Sequence, residues 1–270
     1  MKEIQAVLAT THVDRHGEKF ARSALQGMAE RIESKVVPMG VEHDPRVPPQ
    51  GRIVDAELRE REDGEYELVG VMEQFEEGDR VPFLDREIPI RQWGDDSPCV
   101  VYDRTYRTEQ DQETINEIAD LLGAESQREG KKAYEVLSVL TIAGKFVAGS
   151  IAAGFLAKVG ADAYGALKSK VKELMDRKAE ETEEYLFKFN PVVRINSRPV
   201  EVEVVLTNPT DEDIEAFFEE GIWELDEAIS KHAREEAVKR VVYEYEDRTV
   251  TVNFCVRKDG APLMPKSPQS

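Results

Sequence analysis

In a chain that is 34% charged, the 133–157 stretch AYEVLSVLTIAGKFVAGSIAAGFLA keeps only Glu135 and Lys145 as charges. Such a run has to be buried, in protein or in lipid, because exposing it forgoes the main favourable term in folding. It divides into apolar runs at 136–144 and 146–157, with Gly144, Gly149 and Gly154 set among alanine and serine. Together these runs have about the length of a bilayer-spanning helix, and small residues at this density let helices approach closely. Lys145 opposes a permanent span, at a cost of about 2.5–3.5 kcal/mol on insertion scales. Three dispositions of a small-residue-rich helical segment stay open: a buried helical hairpin in a soluble or oligomeric core, a segment that enters a membrane on a trigger, and a constitutive span.

The sequence on either side is strongly polar. Residues 108–122 place Thr108 as an N-cap, acids in the first turn, and Ile115, Ile118, Ala119 and Leu122 at helical spacing, which predicts an amphipathic helix closed by Gly123. Residues 124–132 read as a linker. Residues 158–178 put Val159, Ala163, Ala166, Leu167, Val171, Leu174 and Met175 on one helix face and six Lys or Arg on the other. A basic helix of this kind lies on an anionic membrane surface or pairs with the chain's own excess carboxylates.

Upstream, 36–75 alternates apolar residues at Ile53, Ala56 and Leu58 and again at Tyr66, Leu68, Gly70 and Met72, with Asp63-Gly64 between, the pattern of a hairpin with a DG turn. His43 sits before this hairpin, between Pro38-Met39-Gly40 and the Pro-rich turn 44–51. Prolines on both sides restrict its backbone, a suitable mount for an acid–base group. Residues 1–8 read as a first strand.

These elements, in order, resemble a family: Asp14-Arg15-His16-Gly17-Glu18, then Val37-Pro38, His43-Asp44, Gly51-Arg52-Ile53-Val54 and the strand Leu68-Val69-Gly70-Val71-Met72 are similar to the prohead (capsid-maturation) proteases of tailed phages, over about residues 5–105. The resemblance implies a small, mostly antiparallel β-barrel flanked by helices, with His43 as general base to a serine on a neighbouring strand. The nucleophile motif is not matched. At that place stands Asp95-Asp96-Ser97-Pro98-Cys99-Val100-Val101-Tyr102, where Ser97 ends a turn and Cys99 opens a strand. A thiol at Cys99 becomes a nucleophile only if a neighbouring base or cation draws off its proton; otherwise it is a small buried apolar residue.

Other chemistries lack support. His12, His16 and Asp14 do not have a zinc spacing, and His232 falls in an acidic helix. No Gly-rich phosphate loop, H-E-x-x-H or C-x-x-C occurs, so no metal and no cofactor is expected. The net charge of −19 argues against nucleic acid as a partner. Cys99 and Cys255 are far apart, with no secretory signal before them, which points to a reducing, cytoplasmic location, membrane-associated if the 133–178 region meets lipid.

From 184 onward, Val200, Val202, Val204 and Leu206 alternate with Glu201, Glu203 and Val205, and Thr210 caps an acid-rich helix before strands at 241–245 and 250–256. The order is ββαββ, a small sheet covered by helix. The chain is thus expected to be α+β: a prohead-protease-like β-barrel (1–107), a helix and linker (108–132), an apolar and amphipathic helical segment (133–180), an α+β domain (181–262) and a flexible tail (263–270). The expected function is a degenerate, non-catalytic recognition module coupled to a helical segment for assembly or membrane activity. Its partner is another protein or further copies of the chain as a homo-oligomer, in bacterial phage biology that includes antiphage defence. The alternative is an active serine or cysteine endopeptidase using His43 with Cys99 or Ser97.

Overall fold

The computed structural model describes residues 1–13, 19–40, 44–76, 81–90, 98–129, 137–146, 150–233 and 236–264. They form a mixed α+β structure with two sheets, in two compact units: 1–89 with 256–263, and 90–255 with 264–270.

In the first unit, β1 (Lys2–Thr10), helix α1 (Arg22–Ser34), β2 (Val37–Met39), β3 (Gly51–Glu60) and β4 (Tyr66–Gln74) give an antiparallel sheet of order β1-β4-β3-β2. The DG hairpin is present. Leu58 lies opposite Leu68 and Ala56 opposite Gly70, and Gly64 takes the positive φ of 80° that the turn needs. Leu25, Ala29 and Ile32 of α1 pack on Leu68, with Leu8, Ala56 and Leu58 around them. A Cβ on Gly70 would come within 2.6 Å of Leu8 Cδ1, so the glycine lets Leu8 cross the sheet.

This corrects the barrel expectation. Among the described residues the sheet is open, since β1 pairs only with β4 and β2 only with β3. Closure needs hydrogen-bonding strands at both rims, whereas β2 is three residues long and one of them is Pro38, which has no N–H to give.

In the second unit, β5 (Cys99–Tyr102), α2 (Glu109–Leu122), β6 (Glu125–Arg128), β7 (Leu137–Gly144), α3 (Ile151–Val159), α4 (Ala161–Glu181), β8 (Glu184–Ile195), β9 (Arg198–Thr207), α5 (Asp211–Ala216), a π-helical turn (Phe217–Gly221), α6 (Ile222–His232) and β10 (Val238–Glu246) follow in turn. β11 (Thr249–Arg257) and β12 (Pro262–Leu263), whose 256–263 part belongs to the first unit, complete the sheet order β12-β11-β10-β9-β8-β7-β5-β6. Helices connect the parallel pairs β5/β6, β7/β8 and β9/β10, and β5/β7 and β8/β9 run antiparallel. The predicted helix at 108–122 is α2, with Thr108 accepting from the Asp111 N–H and Gly123 in the left-handed C-cap.

All these helices cover one face of the sheet. Phe187 and Phe189 of β8 meet Phe146, Phe155, Phe217 and Phe218 there, and Tyr245 of β10 meets Phe217 at 5.2 Å. Phe155 and Phe218 stack at 5.9 Å. Such aromatic contacts add about 0.5–1.5 kcal/mol each beyond the area they bury.

Within the described part of 133–157, the helical expectation gives way to a strand at 137–144 and a short helix from Ile151. Residues 137–144 are the central strand β7, with Leu140, Ile142 and Ala143 fully buried. A strand covered on both sides is apolar at both parities, so its short run cannot be told from a helix by period alone. No helix among the described residues is long and apolar enough to cross a membrane. The ββαββ order at 184–257 is as expected, but its strands continue the sheet of β5 to β7 rather than forming one of their own.

Candidate functional site

His43 and Ser97 lie outside the described residues, as do Asp14 and His16. Cys99 opens β5 opposite Ala143 and is 5% exposed. Burial pushes its thiol up from 9.0, and the Glu125 carboxylate adds to the rise. That is the opposite direction from activation, which needs a nearby cation or a helix N-terminus to favour thiolate. Around the turn after His43, Asp44 holds Arg46 through both its backbone N–H (2.9 Å) and its Nη2 (2.7 Å). His12 contacts Asp63 in the DG turn at 3.1 Å, with both side chains about half exposed. Among the described residues no group of three or more His, Cys, Asp or Glu is arranged to hold a metal ion.

Cys99 belongs to the sheet face that the helices leave open. The pairing places Thr141 beside Lys188 and Ala143 beside Asn190 on this face, then Glu201 beside Arg240. The face is polar and buried: Thr141, Lys188, Asn190, Glu201 and Glu203 are each at most 5% exposed. Its charges are paired, Lys188 with Glu203 and Arg240 Nη2 with Glu201 Oε2 at 2.7 Å, as buried charges must be to offset desolvation. Asn190 Oδ1 is buried with no hydrogen-bond partner among the described residues. Sequence reasoning passed over these groups. Their signal was Lys188 within Leu186-Phe187-Lys188-Phe189, a charge inside a strand apolar at both parities.

A second polar cluster forms where β5 runs into α2. Lys178 is fully buried, and its ammonium donates to Asp111 Oδ2 (2.9 Å), the Thr105 carbonyl (3.2 Å) and Glu181. With its three protons spoken for, it is a structural cation rather than a nucleophile. Burial alone would raise the Asp111 carboxyl, but Lys178, Thr108 and Arg177 together hold it below 3.8. Asp103 goes the other way: burial raises it, although Thr105 and the Val139 N–H both donate to it. Beside them Tyr106 Oη and Ser138 Oγ are buried with no hydrogen-bond partner among the described residues, and burial followed by the Asp103, Asp111 and Glu181 charges drives the Tyr106 phenol well above 10.0.

The basic face of α4 is answered by the chain's own acids. Lys168 reaches Glu215 (2.6 Å) and Glu219 (2.7 Å), Lys170 reaches Glu117 (2.6 Å), and Arg177 reaches Glu173 (2.8 Å).

Comparison of the chain with protein-family models, with curated proteins and with solved structures finds no match in any of the three.

Proposed function

We propose that this chain is a non-catalytic recognition protein whose N-terminal region is a degenerate relative of the prohead proteases, working in bacterial phage biology that includes antiphage defence. The ancestry rests on the ordered motifs between Asp14 and Met72. The loss of catalysis rests on one observation: the only thiol at the nucleophile's place, Cys99, is buried in a strand with its proton held more tightly than usual. Farther along the same face, Lys188 pairs with Glu203 and Arg240 with Glu201, which suits a face that fixes shape rather than one that turns over substrate.

Activity-based labelling tests this. Native protein is treated with a fluorophosphonate and, separately, with iodoacetamide, and adducts are mapped by mass spectrometry in the wild type and in His43→Ala. The expected result is no fluorophosphonate adduct at Ser97 and alkylation of Cys99 only after denaturation, unchanged by His43→Ala. Labelling of Ser97 or Cys99 in the native protein that disappears with His43→Ala would establish the endopeptidase instead.

A further inference from the structure

A row of unpaired N–H and C=O groups on a sheet rim recruits other strands, and proteins commonly blunt such rims by shortening them or placing proline and charge there. Among the described residues the two sheets end in four rim strands, β1, β2, β6 and β12. Three of them are blunt. β2 has three residues including Pro38, β6 has four bounded by Glu125 and Arg128, and β12 has two including Pro262. β1 is different: it has nine residues, and from Ile4 to Thr10 it carries no charge. On the face away from α1, Gln5 is exposed and Val7 is 51% exposed. The pairing of β1 with β4 is regular from Lys2 to Val7 and shifts only between Val7 and Ala9, so the regular part is an uninterrupted template charged only at Lys2 and Glu3.

We infer that β1 is a self-association edge, pairing antiparallel with β1 of a second copy about a two-fold axis at Gln5. This register sets Gln5 against Gln5, Ile4 against Ala6 and Glu3 against Val7 of the other copy, all within the regular part of the strand. Opposed residues share a face in an antiparallel pair, so the Ile4 and Ala6 sides of both copies come to the same side of one continuous sheet. No like charges oppose one another along it. The arrangement is isologous, which closes at two copies. A net charge of −19 per chain acts against it at long range, so the dimer strengthens as salt screens that repulsion. Assembly is thereby moved from the 133–157 run, whose Leu140, Ile142, Ile151 and Phe155 lie in the core of the second unit, to β1. The inference holds whether or not the N-terminal unit is catalytic.

Sedimentation velocity across a concentration series tests it with the full chain and two substitutions at one exposed position. Wild type is expected to show a reversible monomer–dimer equilibrium. Val7→Glu sets two glutamates against Glu3 of the opposite copy, once on each side of the axis, and raises the dimer dissociation constant by about 2- to 30-fold. Val7→Lys sets a lysine against each Glu3 and leaves the dimer as tight as wild type or tighter. The double variant Glu3→Lys/Val7→Glu restores the Val7→Glu loss. Circular dichroism confirms that each variant is folded. A wild-type chain that stays monomeric throughout, or Val7→Glu and Val7→Lys dimerising to the same extent, overturns the proposal.

Discussion

Arg52 and Asp259 stand 207 residues apart in sequence, and Arg52 Nη1 donates to Asp259 Oδ2 at 2.9 Å with both side chains fully buried. The guanidinium is satisfied on its other edges by Glu73 Oε2 (2.6 Å) and the Pro82 carbonyl (3.0 Å). Asp259 also accepts from Arg257 Nε (2.9 Å) and the Leu84 N–H (3.1 Å). Around it the Ile88 N–H donates to the Lys258 carbonyl at 2.6 Å, and Gly260 takes a positive φ of 86° beneath Val36 and Ile88. The 256–263 segment is thus tied into the first unit by charge, backbone and packing together.

Asp259→Asn removes one of the two carboxylates that answer Arg52 while keeping the shape, and Glu73 remains. We expect it to destabilise the first unit by about 1–3 kcal/mol, the cost of losing a buried hydrogen bond to a charged group. Urea unfolding followed by hydrogen exchange on β3 and β4 measures this, and a loss under about 1 kcal/mol would show that the pair matters little.

The same residue sets a pH dependence. Burial alone would raise the Asp259 carboxyl, but the bonds from Arg257 and Leu84 and the charge of Arg52 outweigh it, so it titrates below 3.8 when folded; Asp111 does likewise. A carboxyl with its folded pKa depressed adds stability that is fully present above the unfolded value and is lost as pH falls through the folded one. Wild type should therefore lose stability steeply in the acid range beneath about pH 4, and Asp259→Asn should show a shallower acid limb in the same titration.

Lys178→Met leaves Asp111 buried with only Arg177, Thr108 and its helix to answer it, and is expected to cost about 3–5 kcal/mol. Asp111→Asn/Lys178→Met should cost less than the two single changes added together, because neither group is then left as an unpaired charge. Additive losses in a double-mutant cycle would mean that the two side chains are not coupled.

Gly51→Ala is expected to destabilise the first unit by about 1–3 kcal/mol. A Cβ there would meet the Glu73 carbonyl oxygen at 2.6 Å, and backbone cannot swing aside as a side-chain tip can. A thermal melt unchanged from wild type would show that β3 and β4 separate more easily than this geometry implies.

Local features were readable where the residues themselves specify the backbone. Asp63-Gly64, Thr108 with Gly123, and the alternation through Val200, Val202 and Val204 each dictate a turn, a capped helix or a strand without help from distant chain. Residues 137–144 were not readable in the same way, because a short apolar run satisfies a helix and a doubly covered strand equally well. Nor does any local pattern announce that β5 and β7 share a sheet with β8 to β11, or that Asp259 completes the unit begun by β1. These are long-range pairings, decided by what is buried after collapse. The place of Cys99 at the start of a strand is legible in the sequence, yet its thiol state depends on burial and on neighbours such as Glu125 that only the fold brings near. Lys188 and Glu203 were visible as charges in strands, while the face they share follows from register alone.

The 256–263 segment sets an order of events during synthesis. A ribosome must make residues 90–255 before it reaches Asp259, so the nascent first sheet waits with Arg52 held by Glu73 and not yet by Asp259 while that stretch is translated. A chain that stops ahead of that aspartate therefore lacks part of the first unit although all of residues 1–89 have been made.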